Sequence, residues 1–291
     1  MFKSFIKQHQ LPDDFISVAK ENFVPLAEKI ISQYKQQTKG PLFVGINGCQ
    51  GSGKSTLSEF IHDYIQHNTD LKVAVLSLDD FYFSQQVRSD LANDVHPLLK
   101  TRGVPGTHDT QHIQKIFTQL KQSDNTFALP RFNKATDNPF PIEEWPQISE
   151  AVDIVLFEGW CWGVPAQDEQ QLLAPVNVLE EQSDNDATWR TYVNQSLIKH
   201  YQPLYEQMNF WVLLKAPSFD SVYKWRLEQE QKLLNKSKGG DRSGIMSEQQ
   251  VLDFIQYYQR LTEHSLITLP EKCDVVFHLG EKRQIEKTTN K

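Results

Sequence analysis

The segment of residues 42–67 restricts the fold more than any other part of the chain. An apolar run at residues 42–46 follows the chain breakers Gly40 and Pro41 and predicts a short buried strand. Residues 48–55 come next and fit the pattern G-x-x-x-x-G-K-[ST], and residues 54–67 predict a helix. A strand, a glycine-rich turn and a helix in this order form a loop in which backbone N–H groups and the positive end of the helix meet phosphate groups.

This loop assigns roles to individual side chains. Lys54 would reach the β and γ phosphates of ATP, and the hydroxyl of Ser55 would ligate a magnesium ion. A glycine-rich turn without a ligand would not need a lysine and a serine at those two positions, which favours the functional interpretation. The predicted phosphate-binding residues are Gly48, Cys49, Gln50, Gly51, Ser52, Gly53, Lys54, Ser55 and Thr56.

Strands and helices alternate along the rest of the chain. Further short apolar runs lie at residues 73–78, 152–157, 210–214 and 275–279. Helical spacing of apolar residues is found at residues 13–35, 109–121, 188–207, 218–235 and 248–266. This order predicts an α/β fold with a five-stranded parallel sheet and helices on both faces. Two long polar segments, residues 80–149 and 163–187, interrupt the alternation, and such long connections are usually functional or mobile.

Charge and composition argue against several classes of function. The formal net charge of −7 speaks against a nucleic-acid partner, which usually needs a concentrated basic face. No apolar run approaches the ~20 residues of a membrane span, and the first residues lack the apolar core of a signal peptide. Cys49, Cys161 and Cys273 have no metal-ligand spacing, which is typical of reduced thiols in a cytoplasmic protein.

Carboxylates follow two of the predicted strands. Asp79 and Asp80 end the second strand, where ligands bind in an open α/β sheet. A carboxylate there can accept the proton of an attacking hydroxyl or hold magnesium, and we expect chemistry of one of the pair and a capping role for the other. Glu158 directly follows the run at residues 152–157, which has the form of a Walker B strand, and can bind magnesium or align the nucleophile. Asp153, at the opposite end of that strand, is predicted to be structural.

With these residues, the chain resembles the D-glycerate 3-kinase family, a branch of the P-loop kinases that also includes uridine kinase, pantothenate kinase and phosphoribulokinase. The similarity extends from about residue 42 to residue 279. Its most specific parts are Gln50-Gly51 within the loop and the stretch RGVPGTHD at residues 102–109. The other matching segments are residues 45–56, 77–82, 96–101, 129–135, 156–160 and 222–228.

The resemblance implies further roles, residue by residue. Asp79 matches the general base of the wider kinase group, and together with Ser55 and Glu158 it is assigned to the metal. Arg226 falls in a helix resembling the one that carries a lid over ATP. Arginine supplies a bidentate fork suited to a small anionic acceptor. The residues assigned to the acceptor side are Asp80, Tyr82, Arg102, His108, Asp109, Arg131 and Lys134.

The resemblance also predicts the organisation of the molecule. We expect an N-terminal helical segment at residues 1–40 and a P-loop kinase domain at residues 41–291, with a lid at about 216–247. The expected strand order is 2-3-1-4-5. Residues 257–264 lack the Pro-Ala-Tyr of the plant-type enzymes, and Trp162 replaces an expected Met-Leu pattern. These two departures favour an uncharacterised bacterial branch and leave the substrate open.

Three functions are consistent with the sequence. The first is an ATP- and magnesium-dependent kinase in which Asp79, Lys54 and Glu158 act on a small hydroxylated metabolite, with D-glycerate favoured. The second is a kinase of a nucleoside, a pantothenate-like compound or a sugar. The third is a non-kinase regulator driven by ATP. The third is disfavoured, because a switch would not need a base such as Asp79 beside an arginine-rich acceptor site.

Overall fold

The computed structural model describes residues 1–122, 126–236 and 246–291 and is built on one central sheet. The strands of this sheet are β1 (Leu42–Gly48), β2 (Val73–Ser77), β3 (Ile154–Gly159), β4 (Phe210–Lys215), β5 (Val275–Leu279) and β6 (Ile285–Asn290). Their spatial order is β2-β3-β1-β4-β5-β6. The first five run parallel, and β6 pairs antiparallel with β5.

The predicted five parallel strands and their order are confirmed, and β6 is an addition that the sequence did not predict. It has one strongly apolar residue, Ile285, among polar neighbours, so it carries no buried-strand pattern. An edge strand can be polar because only one of its sides is paired, and lysine on it discourages pairing with another chain. Lys287 lies in this strand.

The central position of β1 in the sheet determines the position of the loop that follows it. Every residue of β1 and of β3 is buried, as expected for strands covered on both faces. Ile46 is in register with Glu158, and Gly48 is in register with Leu214. The loop after β1 and the carboxylate at the end of β3 therefore lie side by side at the same edge of the sheet.

The helices agree with the predicted positions within a few residues. Residues 15–36 are helical through Phe15–Val18, a wide π turn at Ala19–Phe23, and Val24–Gln36. A second π turn at Leu197–Tyr201 joins Thr188–Ser196 to Gln202–Tyr205. The helices are α1 (Phe2–Gln8), α2 (Phe15–Val18), α3 (Val24–Gln36), α4 (Lys54–Asn68), α5 (Gln85–Asp94), α6 (Thr110–Leu120), α7 (Val178–Ser183), α8 (Thr188–Ser196), α9 (Gln202–Tyr205), α10 (Phe219–Lys236) and α11 (Glu248–Thr268).

Aromatic side chains join the N-terminal helices to the sheet layer. Phe5, Phe15 and Phe23 surround Phe60 of α4, with ring centroids 5.4, 6.2 and 5.8 Å away. Phe23 also meets Phe277 of β5 at 5.7 Å. The helices before residue 40 thus share a core with the P-loop helix, and the boundary at residues 40 and 41 stays a prediction.

The two long polar segments are packed against the main body. Residues 80–149 contain α5, α6 and two short antiparallel pairs, Phe127–Ala128 with Gln147–Ile148 and Phe132–Asn133 with Asn138–Pro139. In the acidic segment 163–187, Glu180 is fully buried, and Arg260 of α11 donates to both of its carboxylate oxygens at 2.8 and 2.6 Å.

The range predicted for the lid contains α10, and residues 237–245 of that range lie outside the described residues, so the lid stays a prediction. In the described ranges, none of the helices combines the length and the apolar character that crossing a lipid bilayer requires.

Candidate active site

The loop between β1 and α4 has the backbone of a phosphate-binding loop. Gly51 and Gly53 have φ angles of +75° and +95°, a region that residues with a side chain rarely adopt. Gly53 is the residue that precedes the first turn of α4, so the helix N-terminus opens directly onto the loop. Cys49 is buried, and burial raises the pKa of its thiol to about 12, which makes it a packing residue of the loop.

Lys54, Ser55 and Glu158 meet beside this loop. The Ser55 hydroxyl donates to Glu158 Oε1 at 2.7 Å, and Lys54 Nζ lies 3.7 Å from Glu158 Oε2. Burial opposes the charge on Lys54, but Glu158 and then Asp79 outweigh burial and raise the pKa of Lys54. The side chain therefore stays an ammonium ion, as a phosphate-binding lysine must.

Buried polar atoms without hydrogen-bond partners show that this region fits a polar ligand. The Ser52 hydroxyl and Glu158 Oε2 are buried, and neither forms a hydrogen bond within the protein. Buried polar groups are nearly always paired, so such atoms point to a missing partner. A hydroxyl suits a phosphate oxygen, and a carboxylate oxygen suits a hard cation such as Mg²⁺. The residues present thus fit both ATP and magnesium.

Asp79 lies in a short 3₁₀ helix, Leu78–Phe81, directly after β2. The Tyr82 hydroxyl donates to Asp79 Oδ1 at 2.9 Å, and Lys134 Nζ donates to Oδ2 at 2.6 Å. Burial alone would raise the pKa of Asp79, but the charges of Lys134 and Lys54 and these hydrogen bonds hold it below its usual value. Asp79 is therefore ionised at neutral pH, the state that a proton acceptor needs.

Asp80 has a different environment from its neighbour. Its Oδ1 accepts the backbone N–H of Phe132 at 3.2 Å, and Arg131 lies 3.4 Å from Oδ2. Burial raises the pKa of Asp80 to about 6, although Arg131 opposes the shift. Asp80 thus holds the segment around Arg131, whereas Asp79 interacts with Lys134 and Lys54.

Arginine and lysine side chains gather beyond Asp79. Arg102 and the buried Arg88 each contact one carboxylate oxygen of Asp137. Arg88 donates to Asp137 Oδ2 at 2.7 Å. Because two arginines share one carboxylate, this trio has an excess positive charge. Arg131 and Lys134 are paired with Asp80 and Asp79.

Two predicted acceptor residues lie outside this cleft. His108 is 2% exposed, stacks on the Tyr82 ring at 4.4 Å, and places Nδ1 2.6 Å from the Tyr201 hydroxyl. Burial lowers the pKa of His108 to about 3, so the ring is neutral. Asp109 caps α6 by accepting the N–H of His112 at 2.9 Å. Both residues support the wall of the cleft, and the structure does not bring them into it.

The structure brings most of the remaining predicted residues together in one cleft, whose lining does not include the loop residues Gly48, Cys49, Ser52, Gly53 and Thr56. On the acceptor side these are Asp79, Asp80, Tyr82, Arg102, Arg131 and Lys134. At the other end Gln50, Gly51, Lys54 and Ser55 of the loop lie near Glu158 and Arg226. Arg226 of α10 is paired with Glu230 and lies 5.9 Å from the Phe254 ring.

Tyr258 and Arg283 make contacts in this region that were not predicted. Tyr258 of α11 lines the cleft, and its hydroxyl donates to the Arg102 carbonyl at 3.2 Å. Arg283 donates to the Gly51 carbonyl at 2.7 Å. Neither belongs to a motif, and the sequence contains no signal that would have singled them out, because their contacts depend on the approach of distant segments.

Comparisons with known proteins find a P-loop family and kinase relatives. A family model described as the KAP family P-loop domain matches residues 23–130. The uncharacterized kinase mug58 of Schizosaccharomyces pombe is 30% identical over 268 residues, which cover 88% of this chain and 93% of that protein. The chloroplastic D-glycerate 3-kinase of Arabidopsis thaliana is 29% identical over 227 residues, 75% of this chain and 46% of the plant protein.

A solved structure shows the same similarity. D-glycerate 3-kinase from Cryptococcus neoformans superposes with a TM-score of 0.77 and 25% identity, covering 92% of this chain and 99% of the other. These relatives are fungal and plant proteins and lend no support to the bacterial branch suggested by the sequence. The extent of the similarity, together with the parallel strand order and the loop geometry, places the chain in the D-glycerate 3-kinase family of P-loop kinases.

Proposed function

We propose that the protein transfers the γ-phosphoryl group of ATP to a hydroxyl of D-glycerate. The observation that carries this proposal is a single cleft that joins the phosphate loop to the ionised Asp79 and to a cluster of arginines. Relatives named D-glycerate 3-kinase support the choice of acceptor.

The ATP end of the cleft would bind the triphosphate through the loop and Lys54. Lys54 stabilises negative charge on the transferred group, since its ammonium is held in place by Glu158. Ser55, Glu158 and Asp79 would hold magnesium, which when bound neutralises charge on the phosphate oxygens. Arg226 reaches the same cleft from α10 and is suited to the phosphates.

At the acceptor end, Asp79 takes the proton of the attacking hydroxyl. Lys134 must then release Asp79 Oδ2, which it can do because its side chain is 59% exposed. The excess positive charge of Arg88, Arg102 and Asp137 matches a substrate with one carboxylate. Arg102 is the more accessible of the two arginines, with 29% of its side chain exposed against 2% for Arg88, and offers a bidentate fork to that carboxylate.

An uncharged acceptor fits this end less well. A nucleoside or a sugar would leave the shared arginine charge without a partner, and desolvating an unmatched charge is costly. An ATP-driven regulator would not need a base between the phosphate loop and the arginines. The acceptor is the point on which these alternatives differ.

The test is ADP formation with purified protein, ATP and magnesium, measured with a panel of acceptors. The panel contains D-glycerate, L-glycerate, uridine, pantothenate, fructose and no acceptor, and Lys54→Ala provides the background. We expect turnover with D-glycerate well above the others, and a new phosphate monoester by ³¹P NMR. Faster turnover with any other acceptor of the panel would show that D-glycerate is not the preferred substrate, and acceptor-independent turnover would favour the regulator.

A further inference from the structure

The turn between β5 and β6 lies against the phosphate loop. Arg283 in this turn donates from Nε to the Gly51 carbonyl at 2.7 Å and from Nη1 to Glu228 Oε2 at 2.6 Å. Glu228 belongs to α10, the helix that carries Arg226. One guanidinium thus joins the phosphate loop to the helix on the ATP side of the cleft.

The backbone conformation of Arg283 favours glycine, so the presence of arginine points to a role of its side chain. Arg283 has a φ angle of +66°, a left-handed conformation that costs energy for any residue with a side chain. Glycine would adopt it freely. The turn is fixed on both sides, since Gly280 N–H donates to Gln284 and Arg283 N–H donates to Gly280, at 2.8 and 2.9 Å. A strained residue held in this way is a reason to look for a function.

Beside Arg283, the phosphate loop packs directly against Trp225 of α10. Its guanidinium lies 5.2 Å from the centre of the Trp225 ring, and Trp225 Nε1 donates to the Glu281 carbonyl at 2.7 Å. A Cβ added to Gly51 would lie 2.9 Å from Trp225 Cβ, too close for a stable contact. A change in the position of α10 is therefore transmitted directly to Gly51.

We propose that Arg283 is a positioning residue for ATP, which fixes the Gly51 peptide of the phosphate loop and the register of α10 relative to it. This inference rests on the proposed binding of ATP, and it is independent of the acceptor. Arg283 touches the loop and α10, whereas the acceptor residues lie on the segment of residues 79–137. Loss of the guanidinium therefore affects the affinity for ATP and leaves the affinity for the acceptor unchanged.

The test compares Arg283→Gly with the wild type by calorimetric titration of ATP and by steady-state kinetics. Glycine removes the guanidinium and keeps the left-handed backbone without strain, so we expect the melting temperature to change little. Loss of a hydrogen bond from a charged group should raise the Kd for ATP by about 10- to 100-fold. The KM for the acceptor should stay the same. Lys282→Ala, at an exposed neighbouring position, is the matched control and should behave as the wild type.

Two further variants test the connection to α10. Arg283→Lys keeps the charge but loses the planar fork, so it should recover only part of the affinity. Glu228→Gln should weaken ATP binding by less than Arg283→Gly does. In the Arg283→Gly background the Glu228 change should have little further effect, because its contact with the turn is gone and its other partner, Lys232, lies on α10 itself. Independent, additive effects would show that Arg283 does not act through α10.

Other results would overturn the inference. Unchanged ATP affinity in Arg283→Gly would show that the contact has no role in binding. If the melting temperature, the ATP affinity and the acceptor affinity all fell together, Arg283 would stabilise the fold in general and would not position ATP. Because ATP binding is measured without acceptor, a wrong acceptor leaves the inference standing, whereas a wild-type protein that does not bind ATP would overturn both proposals.

Discussion

At the scale of single residues, Asp79 and Asp80 are neighbours with opposite environments. Asp79 faces Lys134 and Lys54, and Asp80 is fastened to Arg131 and the Phe132 backbone. Asp79→Asn keeps the shape and removes the proton acceptor, so we expect kcat to fall by ~10²- to 10⁴-fold while ATP affinity stays similar. Asp80→Asn should act more on KM than on kcat, because it loosens the segment that carries Arg131.

Steady-state kinetics of both variants, with ATP affinity measured separately by calorimetry, decides this prediction. The two substitutions are chemically identical and adjacent, so each controls for the other. If Asp80→Asn abolished turnover and Asp79→Asn were mild, the base would be Asp80 and the mechanism would have to be rebuilt around it.

At the scale of elements, the acidic segment 163–187 holds α11 in place. Arg260 donates to both oxygens of Glu180 and to the carbonyls of Gln171 and Ala174, at 2.8 and 2.7 Å. Two residues earlier on the same helix, Tyr258 contacts the Arg102 carbonyl. The segment thus supports the helix that forms one wall of the acceptor end.

We predict that Glu180→Gln destabilises the protein by about 3–5 kcal/mol, because it leaves a buried arginine without its counter-charge. Chemical denaturation measures the free energy of unfolding. Glu181→Gln, at the exposed next position, should change it by less than about 0.5 kcal/mol. Equal effects of the two substitutions would mean that the Glu180–Arg260 pair does not stabilise the fold.

The elements also show how far the sequence could predict the structure. The five parallel strands and the phosphate loop were predictable because buried strands and a glycine-rich turn leave strong local patterns. Strand β6 was missed because an exposed edge strand has a polar sequence. The positions of His108 and Arg283 depend on contacts with Tyr201 and Gly51, residues far away in the chain, and no local pattern records them.

At the scale of the whole molecule, ligand binding should stabilise the fold. The loop and the ends of β1, β2 and β3 exist as a site only in the folded chain, so ATP with magnesium binds the native state selectively. At a ligand concentration 100 times the Kd, the expected stabilisation is about 2.7 kcal/mol.

Thermal unfolding with and without the nucleotide measures this effect. A melting temperature that rises with MgATP, and rises less in excess chelator, would agree with hard oxygen ligands from Ser55 and Glu158. Lys54→Ala should melt near the wild-type temperature without ligand and show a much smaller rise with it. A wild-type melting temperature that does not respond to MgATP would contradict the assignment of the loop.

Two of the six tryptophans lie at opposite ends of the cleft. Trp225 packs against Gly51 at the ATP end, and Trp160 meets the Tyr258 ring at 4.9 Å at the acceptor end. Trp162, in contrast, is fully buried beside Phe157 and does not line the cleft. The intrinsic fluorescence of the protein therefore contains two natural optical reporters, and single Trp→Phe variants would separate the emission change caused by the nucleotide from the change caused by the acceptor.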